Sequence, residues 1–208
     1  MHTKFVQLLL AGALLFSLQP PIALATPEED FANAEKSFNE EDIKEATRYL
    51  RLAADQNYFP AQVRLGELMT GSTDFEEGFG WFLTAAFQGD AAGQYNLGQM
   101  YALGYGVEKN PEKAFFWTKK SAEQNYLPAV KLLAGLYKPA EDGNTLKNIL
   151  GITPNKEQAD FWGAKLPDLQ KAADKKTKQA KAAFDKKQAE AAEKAKQEQS
   201  KLLCGLKC

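Results

Sequence analysis

Apolar and small residues recur at helical spacing along this chain, and the same pattern returns four times. Asp42…Ala46…Tyr49, Asp74…Gly78…Trp81, Asn110…Ala114…Trp117 and Asn155…Ala159…Trp162 all keep gaps of four and then three. Positions three and four apart share one face of an α-helix, so each small residue and its aromatic predict an inter-helix packing pair. Successive copies are 32, 36 and 45 residues apart, a period that signals stacked helical hairpins. Three copies add a second small pair, Ala53-Ala54, Ala85-Ala86 and Ser121-Ala122, which lets the next helix come close. A further set of helices echoes as well: Ala61-Gln62-Val63-Arg64-Leu65-Gly66, Gly93-Gln94-Tyr95-Asn96-Leu97-Gly98 and Ala129-Val130-Lys131-Leu132-Leu133-Ala134 align. The pattern predicts hairpins over about 27–56, 60–88, 91–125 and 128–165.

Local signals agree with that division. Asp42, Asp74, Asn110 and Asn155 have side-chain oxygens able to accept the free amides of a first helical turn. Glu45, Glu77 and Gln158 follow three residues later and predict a reciprocal capping box in three of the four copies. Pro111 sits where a helix begins and where a missing N–H costs nothing.

The run Gly93-Gln-Tyr-Asn-Leu-Gly-Gln-Met-Tyr-Ala-Leu-Gly-Tyr-Gly-Val107, followed by Asn110…Ala114…Trp117…Ser121-Ala122, resembles a Sel1-like repeat. This is a relative of the tetratricopeptide repeat with a longer, glycine-bearing hairpin loop. The fourth copy keeps Gly151-Ile152…Asn155…Ala159…Trp162 behind about nine extra residues, and the first two lack the glycine loop. The resemblance covers about residues 28–165 and implies an all-α, right-handed α–α superhelix of helical hairpins, followed by a long C-terminal helix or tail. It also implies an adaptor module, since relatives serve signalling, secretion and envelope assembly. Some secreted relatives are associated with β-lactam binding, but those resemble a disulfide-rich variant, and this chain lacks paired cysteines within the repeats.

Catalytic chemistry has little to build on. His2 is the only histidine and falls in the leader described below, which leaves no base for a Ser–His or Cys–His pair. None of the five serines begins Ser-x-x-Lys or lies in Gly-x-Ser-x-Gly. Glu40-Glu41-Asp42 and Asp74-Phe75-Glu76-Glu77 stand at helix starts, where the helix dipole favours negative charge. No catalytic residue, metal ligand or cofactor is assigned. Binding is the stronger expectation. The column Leu65/Leu97/Leu133 repeats, while its neighbours Arg64/Asn96/Leu132 and Glu67/Gln99/Gly135 do not. The fold does not dictate those columns, so they either line the inner face that solenoids use for partners or vary because nothing touches them. The insertion Lys138–Pro154 departs from the repeat and carries Leu146 and Ile149; it reads as a partner contact or as a capping element. The candidate partner-binding residues are therefore Arg64, Glu67, Asn96, Gln99, Leu132, Leu146 and Ile149.

Charge and termini complete the reading. Met1–Ala25 reads as a secretory signal: Lys4 is positive, Phe5–Leu18 is apolar but for Gln7 and Ser17, and Ala23-Leu24-Ala25 ends in small residues. Cleavage after Ala25 predicts a periplasmic or secreted protein with no transmembrane segment thereafter. Residues 26–153 hold 12 basic and 19 acidic groups, net −7, whereas residues 154–208 hold 13 and 8, net +5. No basic patch interleaves with aromatics, so nucleic acid is not an expected partner. Pro167 is expected to interrupt the last repeat helix. Beyond it, residues 167–208 are rich in Ala and Lys, with Phe184 the only large apolar residue between Gln170 and Lys201. Helix propensity there is high, and the segment reads as a solvated tail or as a spacer. Cys204-Gly-Leu-Lys-Cys208 is expected to carry a disulfide in an oxidising compartment, within the chain or between chains, with a soft metal as the remaining alternative. Taken together, the sequence predicts an exported, non-enzymatic adaptor that binds a protein or peptide on its repeat surface. The alternatives are a structural envelope component with a helical spacer, which could self-associate through the tail or the cysteines, and a secreted enzyme or β-lactam-binding protein.

Overall fold

The computed structural model describes residues 25–138 and 152–205. The expected signal segment up to Leu24, the insertion residues Leu146 and Ile149, and the pairing of Cys204 with Cys208 lie outside the described residues and side chains. Helices alone make up the architecture among the described residues: α1 (Pro27–Asn39), α2 (Ile43–Asp55), α3 (Phe59–Gly71), α4 (Phe75–Phe87), α5 (Ala91–Leu103), α6 (Pro111–Glu123), α7 (Leu127–Tyr137), α8 (Lys156–Ala164) and α9 (Leu166–Gly205). Each helix packs on the next, pairing α1 with α2, α3 with α4, α5 with α6 and α7 with α8, and each pair docks on its successor. The result is an all-α repeat solenoid. Helices α3 and α5 also touch directly, so first helices form a contiguous row.

All four expected caps form. The amide of Glu45 donates to Asp42 at 3.0 Å, that of Glu77 to Asp74 at 3.2 Å, that of Lys113 to Asn110 at 2.8 Å and that of Gln158 to Asn155 at 3.0 Å. The reciprocal half of the predicted boxes does not. Glu45 instead accepts from Nε and Nη2 of Arg48, and Glu77 accepts from Trp81 Nε1 at 3.0 Å and pairs with Arg51 at 2.6 Å. A carboxylate gains more from a guanidinium than from one backbone amide. Among the described residues the one complete capping box lies earlier, between Thr26 and Glu29 at the start of α1. Turns between hairpins repeat too: Asn57, Gly89 and Asn125 all adopt left-handed backbone, a conformation open to glycine and tolerated by asparagine.

Packing explains the periodic columns. Leu65, Leu97 and Leu133 are fully buried, as are Ala46, Ala85, Ala122 and Ala129. Trp117 and Trp162 lie in the main core, whereas Tyr49 and Trp81 are half-buried and pack on the smaller N-terminal cluster. Glycine is required where paired helices meet. A Cβ on Gly66 would stand 2.5 Å from the Phe82 ring, and one on Gly98 would stand 2.7 Å from Thr118 Oγ1 and 3.0 Å from the Ala114 carbonyl oxygen. Buried glutamines tie one hairpin to the next. Gln62 donates to the Ala54 carbonyl at 3.1 Å and Gln94 to the Ala86 carbonyl at 3.3 Å, satisfying acceptors near the end of the preceding helix.

Pro167 is the second residue of a new helix rather than a kink. Helix α8 ends at Ala164, and α9 runs for 40 residues, about 60 Å at 1.5 Å per residue. Among its described side chains, those of the first turns alone are seated, through Leu166 and Leu169. Within it Glu190 pairs with Lys186 at 3.8 Å, and Asp174 accepts from Gln170 at 2.9 Å. No described helix is long and apolar enough to cross a membrane.

The same substitution should have opposite effects at two glycines. Gly98→Ala inserts a methyl group between α5 and α6 and is expected to cost about 1–3 kcal/mol, the range for overpacking. Gly71→Ala projects into open space and is expected to be neutral or to stabilise by up to about 1 kcal/mol through helix propensity. Urea unfolding of the two variants checks both signs.

Candidate functional site

Two shallow grooves lie side by side along α3. The first, about 400 Å³, runs between α1 and α3 and is lined by Phe38, Ile43, Arg64, Glu67, Leu68, Gly71 and Ser72. The second, about 390 Å³, lies between α3 and α5 above the side chains of α4. Glu67, Thr70, Asn96 and Gln99 form its polar sides, and Phe75, Phe82, Met100, Leu103 and Tyr105 supply apolar surface. Glu67 and Gly71 border both. No side chain stands between the grooves at Gly71, whose added Cβ would meet nothing within 4 Å.

The second groove exists because of a loop. After α5 the chain turns through Gly104 and Gly106, at φ +77° and +65°. Gly106 lies against the Phe75 carbonyl, too close for any Cβ. That contact stacks the Tyr105 ring on Phe75, with centroids 4.5 Å apart and the planes 24° from parallel. A hairpin loop of one repeat thereby walls a groove built on its predecessor. Leu103, Tyr105 and Ile43 remain 43–49 % exposed, apolar surface that the fold itself does not use.

Polar groups converge along the same face. Arg64 lies between Glu67, at 3.3 Å, and Glu35, at 3.6 Å, with its guanidinium 4.9 Å from the Phe38 ring centre. These ion pairs are half-exposed and so add little stability. Gln99 donates to the Tyr95 hydroxyl at 3.0 Å, and Tyr95 packs against Tyr126 with centroids 5.7 Å apart. Burial, and then the charges of Glu67, Tyr95 and Asp90, raise the Tyr126 phenol above its usual range. Glu67 is the one charged side chain among those lining the second groove. That groove can hold an apolar side chain with a basic neighbour. Among the described residues no group of His, Cys, Asp or Glu could hold a metal ion.

Of the residues singled out from sequence, Glu67, Asn96 and Gln99 meet in the second groove and Arg64 lines the first. Leu132 is half-buried, packs against the core and lines neither groove. Sequence reasoning missed Phe75, Leu103 and Tyr105. Leu103 and Tyr105 flank the glycine of the hairpin loop, and that position was the available signal.

The Sel1 repeat profile matches residues 40–58, 60–90 and 91–126. Sel1 repeats thus occupy residues 40–126 of this all-α solenoid. A crystal structure of a Sel1 repeat protein from Oxalobacter formigenes superposes with a TM-score of 0.58 at 22 % identity, covering 70 % of this chain and 42 % of that one. A protective antigen of uropathogenic Escherichia coli with the same repeat fold gives 0.58 at 25 % identity, over 68 % and 30 %. DAP3-binding cell death enhancer 1 of Rattus norvegicus is 32 % identical over 103 residues, 49 % of this chain and 20 % of that protein. The chain spans less than a quarter of the length of the curated relatives it matches. The Sel1 repeat is a protein-interaction fold.

Gly106→Ala should collapse the groove wall. It combines a left-handed backbone with a collision against Phe75, and about 1–3 kcal/mol of stability should be lost. Urea unfolding that changes by less than about 0.5 kcal/mol would contradict this packing.

Proposed function

We propose that this protein is an exported, non-enzymatic adaptor that binds a protein or peptide segment along the inner row of its repeats. One observation carries the reading. Glu67, Asn96 and Gln99, which the repeat pattern leaves free to vary, line a single groove with unused apolar surface at Leu103 and Tyr105. A groove with an apolar bed and a few polar sides suits an amphipathic segment that lays its apolar side chains inward. The rat relative is named for binding another protein, which agrees with this reading. Export rests on the leader signals in the sequence, and the envelope is the compartment where the partner is sought.

A second reading, that of a structural component using a spacer, has its own observation: α9 is a 40-residue helix whose length lies mostly in solvent. The two readings are compatible, because a spacer can carry an adaptor.

Gly71→Trp tests the groove without touching the core. The indole should fill the junction of both grooves and abolish capture of the partner that the unaltered chain retains from envelope extract, with an unchanged melting temperature. Equal capture of the same partner by both proteins would place binding elsewhere. Turnover of a small substrate by the pure protein would contradict the non-enzymatic reading.

A further inference from the structure

Helix α9 leaves the repeat stack after its first turns. From Lys171 to Lys194 every side chain except the half-buried Ala173 is exposed. A helix that is polar all round lacks a packing face, yet α9 is not uniform. From Leu166 and Leu169 the residues Ala173, Thr177, Ala180, Phe184, Gln188 and Ala191 follow at steps of four, four, three, four, four and three. That 11-residue rhythm keeps to one nearly straight face of a helix. No charged residue falls on it, although charges crowd the rest of the helix. The face that seats α9 on its own core thus continues outward with nothing on it. Phe184 stands on that face 55 % exposed, with Lys181 and Lys187 three residues to either side.

The groove between α3 and α5 has the matching features. Its bed is formed by Phe75, Met100 and Tyr105, and Glu67 stands at its lip. The wider charge balance points the same way, net −7 over residues 26–153 against +5 over residues 154–208. Within one chain the two do not meet, since Phe184 is exposed to solvent.

We propose that α9 of one copy docks in the α3–α5 groove of a second copy, placing Phe184 on the apolar bed and Lys181 and Lys187 beside Glu67. The second copy returns the same contact, and the exchange closes a two-fold dimer. This inference rests on reading the groove as a docking surface, and it specifies the ligand chemistry as an apolar anchor between basic groups on a helix.

Sedimentation of the purified protein with reductant present tests it and sets aside any link through Cys204 or Cys208. A dimer is expected at about 0.1 M salt, weakening at least about tenfold at about 1 M, where the screening length falls from about 10 to about 3 Å. Phe184→Ala, on an exposed helix face, should weaken it about tenfold, and so should Glu67→Lys. Combining Glu67→Lys with Lys181→Glu and Lys187→Glu should restore it. A monomer at every concentration, or a dimer that either single variant leaves unchanged, overturns the proposal. Neither result touches the adaptor reading, which is scored by the effect of Gly71→Trp on an outside partner.

Discussion

The fold depends on how closely two helices of a hairpin can approach. At Gly66 and Gly98 the backbone of a first helix touches side chains of its partner with no room for a methyl group. Gly78 completes the same contact from the other helix, since a Cβ there would stand 2.6 Å from Thr70 and 3.1 Å from the Gly66 carbonyl oxygen. Close approach removes the voids that would otherwise separate the helices, and dispersion contacts accumulate only at that range. The aromatic and leucine columns then fill the space on either side. The small residues therefore set the spacing, and the large ones stabilise what the spacing permits.

That spacing also determines what is left over. Because pairing is satisfied by fixed columns, neighbouring positions of the first helices, Arg64, Glu67, Asn96 and Gln99, are left to line the grooves along α3. The loop after α5 adds the one element that pairing does not supply, a wall at Tyr105 held by the contact of Gly106 with Phe75. Groove and fold are thus joined through a backbone contact rather than through a charged cluster. The polar connections between hairpins are graded in the same direction. Gln62 and Gln94 each reach a carbonyl of the preceding helix, while the equivalent Val130 does not. Gln62 Oε1 is buried with no hydrogen-bond partner among the described residues, a cost accepted at the N-terminal pair of hairpins.

Much of this was legible in the sequence, for a physical reason. Caps, turns and packing columns are local or strictly periodic, so Asp42, Asp74, Asn110 and Asn155 could be placed as caps and Leu65, Leu97 and Leu133 as core from spacing alone. The break before α9 followed from Pro167. What escaped was set by contacts between elements. The carboxylates of Glu45 and Glu77 were expected to turn back to their caps, and nearby arginines took them instead. The Tyr105–Phe75 stack joins residues thirty positions apart through a loop whose path no local rule specifies. Leu132 shares a column with Arg64 and Asn96 and is half-buried as they are, yet as an apolar side chain it packs on the core and lines neither groove.

The central claim is that the inner row between α3 and α5 is where this protein meets its partner. A photo-crosslinking side chain installed at Gln99, in the groove, and in a second protein at Lys119, on the opposite helix of the same hairpin, tests it most directly. The account predicts a covalent adduct to a single partner from position 99 and none from position 119. An adduct from position 119 with none from position 99 would contradict it.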